Sequence, residues 1–262
     1  MSELVAKEEQ TALANPITSG GINARDIIIP IVLVRQPTFK REHMRAFQPG
    51  DILKMPGAIP VAKYKETVEI VPLALRKQYR VLDVTKASEP KCIRYEDWKE
   101  GLEWEWTDGG QSFRRDQCFS VFIMFREDLE RQAELMKALE RGEIVDPDDF
   151  ALPVRLVLSR AAFQYGKVLA SYFELCKAAN NQSPAAFTWL LRAEEKTNEH
   201  GTWYIMALDK AQKDRKLTPK HLLSSANFWV ETLKSKDVKL AEEDEAEVID
   251  VSRDVNSSSS EY

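Results

Sequence analysis

Three cysteines in 262 residues, Cys92, Cys118 and Cys176, are too few and too widely spaced for a disulfide framework, and they predict small buried thiols in a reducing compartment. Histidine is equally scarce. His43, His200 and His221 stand apart, and neither CxxC nor HxxxH spacing occurs, so zinc has no ligand set and no metal is expected. Phosphate-cradling GxxxxGK[ST] and GxGxxG loops are missing, as is a GxSxG nucleophile elbow. The longest apolar runs, at 27–34 and 118–125, reach about eight residues. A membrane-spanning helix needs roughly 20. The opening MSELVAKEEQ is acidic and has no apolar signal core. These absences predict a soluble cytoplasmic protein that is not an enzyme, binds no cofactor and has no membrane partner.

What is abundant is charge, and it is unevenly placed. The chain carries 37 Lys and Arg against 42 Asp and Glu, a net of −5 that argues at first against a polyanionic partner. Residues 240–262, however, hold eight acids (Glu242, Glu243, Asp244, Glu245, Glu247, Asp250, Asp254 and Glu261) and one base, Arg253. The first twenty residues contribute −2, which leaves +4 on residues 21–239. Within that body, residues 27–94 hold 13 bases and 6 acids. A basic body behind an acidic tail suggests a polyanion as partner, with a solubilising tail as the plain alternative.

The hydrophobic pattern predicts an α+β fold. Residues 1–24 show no sustained period and read as a mobile N-terminal arm. Residues 27–34 are β-rich, with Pro30 placing them at an edge or bulge. Residues 48–51 read as a turn. Within 66–83, two apolar stretches flank the basic run 76–80. Leu102, Trp104 and Trp106 alternate with acids before a turn at 107–110, and 118–125 reads as a buried strand. A helix over 127–141, a strand over 152–158 and a helix capped by Ser159 come next. Strands at 187–193 and 202–208 flank a hairpin loop at 194–201, and Pro219 opens a last helix. Seven or eight strands, mostly hairpin-linked, with three helices favour an antiparallel sheet or small barrel of OB-like type. Residues 25–239 form the expected single domain, and 240–262 read as a disordered acidic tail.

The body interleaves aromatics with cations. Lys40 and Arg41 follow Phe39; Lys63, Tyr64 and Lys65 are consecutive; Arg76, Lys77, Tyr79 and Arg80 share one run. Trp104 and Trp106 precede Phe113, Arg114 and Arg115 across the turn. Single-stranded nucleic acid needs this mixture, because cations track phosphates while flat rings stack on bases at about 1–3 kcal/mol each. Strand alternation puts both tryptophans on one face, either as a stacking platform or as core. Tyr64, Tyr79, Trp104 and Trp106 are thus the candidate stacking rings. Lys40, Arg41, Lys63, Lys65, Arg76, Lys77, Arg80, Arg114 and Arg115 are the candidate phosphate contacts. A metal-dependent nuclease is a weaker alternative, since Pro147 and Asp148 with Glu194, Glu195 and Lys196 only loosely echo a PD…ExK arrangement. A structural or adaptor protein whose aromatic surface docks other proteins is another.

Several stretches carry a family resemblance: residues 31–36 (IVLVRQ), 49–52 (PGDI), 68–73 (VEIVPL), 79–82 (YRVL), 119–122 (FSVF), 153–156 (PVRL) through Gly166 and Lys167, and 200–204 (HGTWY). Together they span most of 27–235, and the chain resembles the single-stranded-DNA-binding proteins of bacteriophage and mobile-element replication regions. The resemblance implies an OB-like barrel, DNA replication or recombination as setting, and a bacterial host cell if the chain is phage-encoded. It also implies an acidic tail, Glu242, Glu243, Asp244, Glu245, Glu247 and Asp250 foremost, that recruits replication or recombination proteins. Some members of that family carry a Cys-rich insert near the middle; only Cys92 and Cys118 stand there, so no zinc is carried over. Self-association into a homo-oligomer is compatible with this reading.

Overall fold

The structure, a computed structural model, describes residues 28–38, 45–86, 90–179, 183–199, 201–211, 217–234 and 239–240. The N-terminal arm and the tail beyond Leu240 lie outside the described residues. The strands are β1 (Ile28–Ile29), β2 (Ile31–Val34), β3 (Ile52–Met55), β4 (Ile59–Ala62), β5 (Thr67–Asp83), β6 (Lys91–Asp97), β7 (Glu105–Asp108), β8 (Gln111–Phe125), β9 (Val154–Ser159), β10 (Trp189–Asn198), β11 (Gly201–Lys210) and β12 (Lys239–Leu240). The helices are α1 (Arg126–Glu140), α2 (Phe163–Ala178) and α3 (Lys220–Lys234). The fold is α+β, as expected.

The organising pair is β5 with β8, two long antiparallel strands in register from Ile70 opposite Phe125 to Asp83 opposite Phe113. The basic run 76–80 therefore does not separate two strands; it lies inside one of 17 residues. Pro72 sits next to a register shift in β5, beyond the last pairing to β10 at Ile70 and before the first pairing to β6 at Gln78. It thus costs no outer ladder bond. That unpaired stretch divides the sheet. On one side the body runs β11-β10-β5-β8-β9-β2-β3-β4; on the other, β6 and β7 flank the far halves of β5 and β8 to make a four-stranded blade.

Alternation along β8 assigns the layers. Phe119, Val121, Ile123 and Phe125 belong to one core with Leu169 of α2, Val154, Leu156 and Trp189. Phe122 and Met124 point the other way, into a core with Leu129 and Ala133 of α1 and Leu222, Ala226 and Trp229 of α3. The run 121–125 is continuously apolar because helices cover both sheet faces here.

The expected barrel is not formed. The ten-stranded sheet is open and mixed, with β2 and β9 parallel. Its end strand β11 curls toward β2, but what meets it is a side chain: Gln36 Nε2 donates to the Tyr204 carbonyl at 2.7 Å, and Gln36 Oε1 accepts from the Tyr204 amide at 3.0 Å. One amide side chain imitates one residue of a strand, so the seam is pinned without a ladder. Pro30 likewise marks neither an edge nor a bulge. It separates β1, paired with β12, from β2, an interior strand between β9 and β3.

Two loops are shorter than expected. The turn after Trp106 contracts to Gly109 and Gly110, both at positive φ, which a two-residue hairpin between twisted strands demands. Residues 194–198 extend β10 rather than form a loop. Ser159 makes no side-chain cap; a 3₁₀ turn (Arg160–Ala162) leads into α2 instead.

Gly166 of α2 lies where the helix presses on Phe119, itself stacked on Phe163 with centroids 4.8 Å apart. A Cβ there would come within 2.8 Å of Phe119 Cγ. Alanine ordinarily stabilises a helix over glycine by about 1 kcal/mol. Here overpacking, at about 1–3 kcal/mol, outweighs that gain. Gly166→Ala is expected to lower the urea midpoint with an unchanged m value; a raised midpoint would show that Phe119 yields.

Candidate nucleic-acid interface

Residues paired across a ladder project to the same side, so the register sorts the blade into two faces. One carries Lys77, Tyr79 and Val81 of β5, Phe113, Arg115 and Gln117 of β8, Arg94 and Glu96 of β6, and Trp106 of β7. The other carries Arg76, Gln78 and Arg80 of β5, Arg114, Asp116, Cys118 and Ser120 of β8, Tyr95 and Asp97 of β6, and Glu105 of β7, and it continues onto β9.

The first face is aromatic and open. The Lys77 ammonium lies 3.7 Å above the Trp98 ring, and the Arg115 guanidinium lies 4.1 Å from the Trp106 ring. Trp106 stacks on Phe113 with centroids 5.3 Å apart. Trp104 meets Tyr79 edge-on at 6.0 Å and is 55% exposed. Arg115 also donates to Glu96 at 2.8 Å and to the Glu103 carbonyl at 2.7 Å, which fixes its guanidinium beside Trp106. Trp104 and Trp106 both border this face, Trp106 from β7 and Trp104 through its contact with Tyr79. Trp104 lies just before β7 and offers its ring to solvent, whereas Trp106 is held between neighbours.

The second face is ionic and closed. Asp116 receives three guanidiniums: Arg160 at 2.9 Å, Arg114 at 3.1 Å and Arg80 at 3.5 Å. Burial opposes its ionisation, but the charges of Arg160, Arg80 and Arg114 prevail and hold its carboxyl below the usual range. Arg155 of β9 is 1% exposed; its Nε donates to Ser120 Oγ at 3.1 Å, and Ser120 donates to Gln78 Oε1 at 2.7 Å. Tyr95 covers its guanidinium at 3.6 Å. Burial pushes Arg155 down to about 10, so it is still charged at neutral pH.

The candidate residues divide accordingly. Lys77, Tyr79, Trp104, Trp106 and Arg115 come together on the open face. Tyr79 is 4% exposed, with its hydroxyl donated to the Lys99 carbonyl, so it supports Trp104 and offers no stacking surface of its own. Arg80 is 5% exposed beside Asp116, and Arg114 binds the same carboxylate, so both hold the closed face together. Arg76 is half-buried, donating to the Leu233 carbonyl of α3 at 2.9 Å. Lys63, Tyr64 and Lys65 lie just before the opposite end of β5, which begins at Thr67. There Tyr64 packs edge-on against Tyr204 at 5.1 Å and donates to Glu195 at 3.0 Å. Lys40, Arg41 and the tail acids lie outside the described residues. Trp98, Phe113, Asp116 and Arg155 are not among the candidate contacts; Trp98 and Phe113 belong to the aromatic–cation pattern, and Arg155 is the lone charge in the strand VRLVLS.

No family model, curated protein or solved structure matches this chain. The resemblance to single-stranded-DNA-binding proteins therefore rests on the sequence stretches alone. Glu194 of the nuclease alternative accepts from Tyr165 and pairs with Lys196 and Arg192. No group of three or more His, Cys, Asp or Glu suited to a metal occurs among the described residues. No helix among them is long and apolar enough to cross a membrane.

Asp116 governs the closed face. Because its folded pKa lies below the unfolded value of about 3.9, its contribution is complete above that value and lost as pH falls through the folded pKa. Asp116→Asn is expected to cost about 3 kcal/mol at pH 7, because it leaves three guanidiniums around an uncharged amide. It should also flatten the loss of stability below about pH 4. Urea melts across pH measure both, and a variant as acid-sensitive as the wild type would refute the role.

Proposed function

We propose that the chain binds single-stranded DNA, without sequence preference, on the open face of the blade. The observation that carries this is Trp104: a large ring 55% exposed, braced by Tyr79, on a face that also presents Lys77, Arg94 and Arg115. A base stacks on Trp104, and the cations neutralise the adjoining phosphates. Recognition uses π surface and charge rather than base edges, so the strand's sequence matters little. The activity is binding, not catalysis. In this reading the protein acts in the cytoplasm during replication or recombination, and the acidic tail recruits partner proteins.

Titration with oligo-dT at two salt concentrations, followed by tryptophan fluorescence, tests the proposal. Quenching that weakens as salt rises is expected, with log K falling by about 0.7 per phosphate contact for each unit of log salt. Trp104→Ala should weaken binding by about 1–3 kcal/mol, roughly 5- to 150-fold in Kd, and remove most of the quenching. Lys77→Ala should lower the salt slope by about 0.7 and leave the quenching amplitude intact. An absence of binding at about 50 mM salt, or an affinity indifferent to salt, excludes the proposal and favours a protein partner for Trp104.

A further inference from the structure

The closed face holds a second feature that strand binding does not use. Five guanidiniums gather there (Arg76, Arg80, Arg114, Arg155 and Arg160), and Asp97, Glu105 and Asp116 are among the carboxylates on the same face. Asp116 is occupied by three of the five. Arg155, the deepest, has its Nε on Ser120, and its buried Nη1 and Nη2 have no hydrogen-bond partner among the described residues. Arg76, on the strand position opposite Ser120, is close enough for the two like charges to act on each other. A buried guanidinium with its fork unbonded is a donor pair prepared for a planar or tetrahedral oxyanion.

We propose that Arg155 and Arg76 form an anion site for a phosphoryl group, with the Tyr95 ring as its cover. The planar fork of Arg155 with a second guanidinium, Arg76, beside it suits a tetrahedral anion that offers several acceptor oxygens. The two Nη donors of Arg155 bind two phosphoryl oxygens, while its Nε stays on Ser120. Tyr95 occupies the approach, its ring 3.6 Å from the guanidinium carbon, and the ring–cation contact stands in for the anion until one arrives. Tyr95 belongs to β6, which among the described residues pairs with β5. Turning that ring outward breaks no second ladder. The phosphoryl group is either a small phosphate species or a backbone phosphate of a nucleic acid.

Calorimetric titration of the full chain with inorganic phosphate, against chloride at matched ionic strength, tests this site independently of stacking on Trp104. Binding to the wild type is expected. Arg155→Met, of similar length and without charge, should weaken it by roughly tenfold or more. Tyr95→Ala should strengthen it, because the ring no longer competes for the guanidinium. No phosphate binding by the wild type overturns the site, as does undiminished binding by an Arg155→Met protein with native near-ultraviolet circular dichroism. If Arg155→Met does not fold, Tyr95→Ala decides: unchanged phosphate affinity overturns the proposal and a gain supports it. An abasic deoxyribose-phosphate strand distinguishes the two sources. Competition with phosphate assigns the site to backbone, and lack of competition assigns it to a small phosphate; both outcomes uphold the phosphoryl chemistry.

Discussion

Thirteen residue pairs join β5 to β8, and this ladder sets the position of the other elements. At one end the two strands run between helices, α2 on one side and α1 with α3 on the other, so Ile70, Val71, Phe122 and Ile123 are buried whichever way they point. At the other end the same strands leave the helices behind and take β6 and β7 as neighbours. The covered half must be apolar on both faces, whereas the blade is under no such demand. A continuous pairing thus passes from a structural environment to a chemical one, and it holds the blade at a fixed twist against the body.

The blade's two faces resolve the same problem in opposite ways. On the open face, water reaches Lys77 where it lies on the Trp98 ring, while Arg115 beside Trp106 is held by Glu96 and the Glu103 carbonyl. On the closed face, desolvation makes an unpaired charge costly, and neutralisation must come from within. Asp116 supplies it for Arg80, Arg114 and Arg160. Arg155 receives instead a hydroxyl on Nε and an aromatic ring over its plane. Lysine could not replace it, because a compact ammonium cannot bond Ser120 with one nitrogen and keep a planar fork toward Tyr95.

Local pattern carried much of this into the sequence. The aromatic–cation pattern singled out Trp104 and Trp106, the apolar run 118–125 marked the buried half of β8, and the 3.6-residue period located all three helices within a few residues. What the sequence hid was set by contacts distant along the chain. The basic run 76–80 looks like a polar loop because its strand neighbours lie about 20 and 40 residues away, at 94–97 and 116–120. Hairpin-rich order suggested closure into a barrel, yet closure depends on whether the last strand finds a backbone partner. In this chain it finds Gln36. Tyr64 stands between two lysines, and the Tyr204 and Glu195 that engage it are over a hundred residues away.

The charge partition along the chain needs the same correction. Counting 13 bases and 6 acids over residues 27–94 treats every charge as available at the surface. Arg35 and Arg80 are buried, and Arg76 is half-buried with its guanidinium on a helix carbonyl. Part of the basic excess is therefore turned inward, and the exposed cations of the blade's open face are Lys77 and Arg94. In the proposed binding mode, sparse charge on that face leaves stacking on the one exposed indole, Trp104, the larger share. It also makes the inward arginines a separate matter. Their charge is too deep to steer a polymer from solution, but it is well placed to hold one phosphoryl group once Tyr95 turns away.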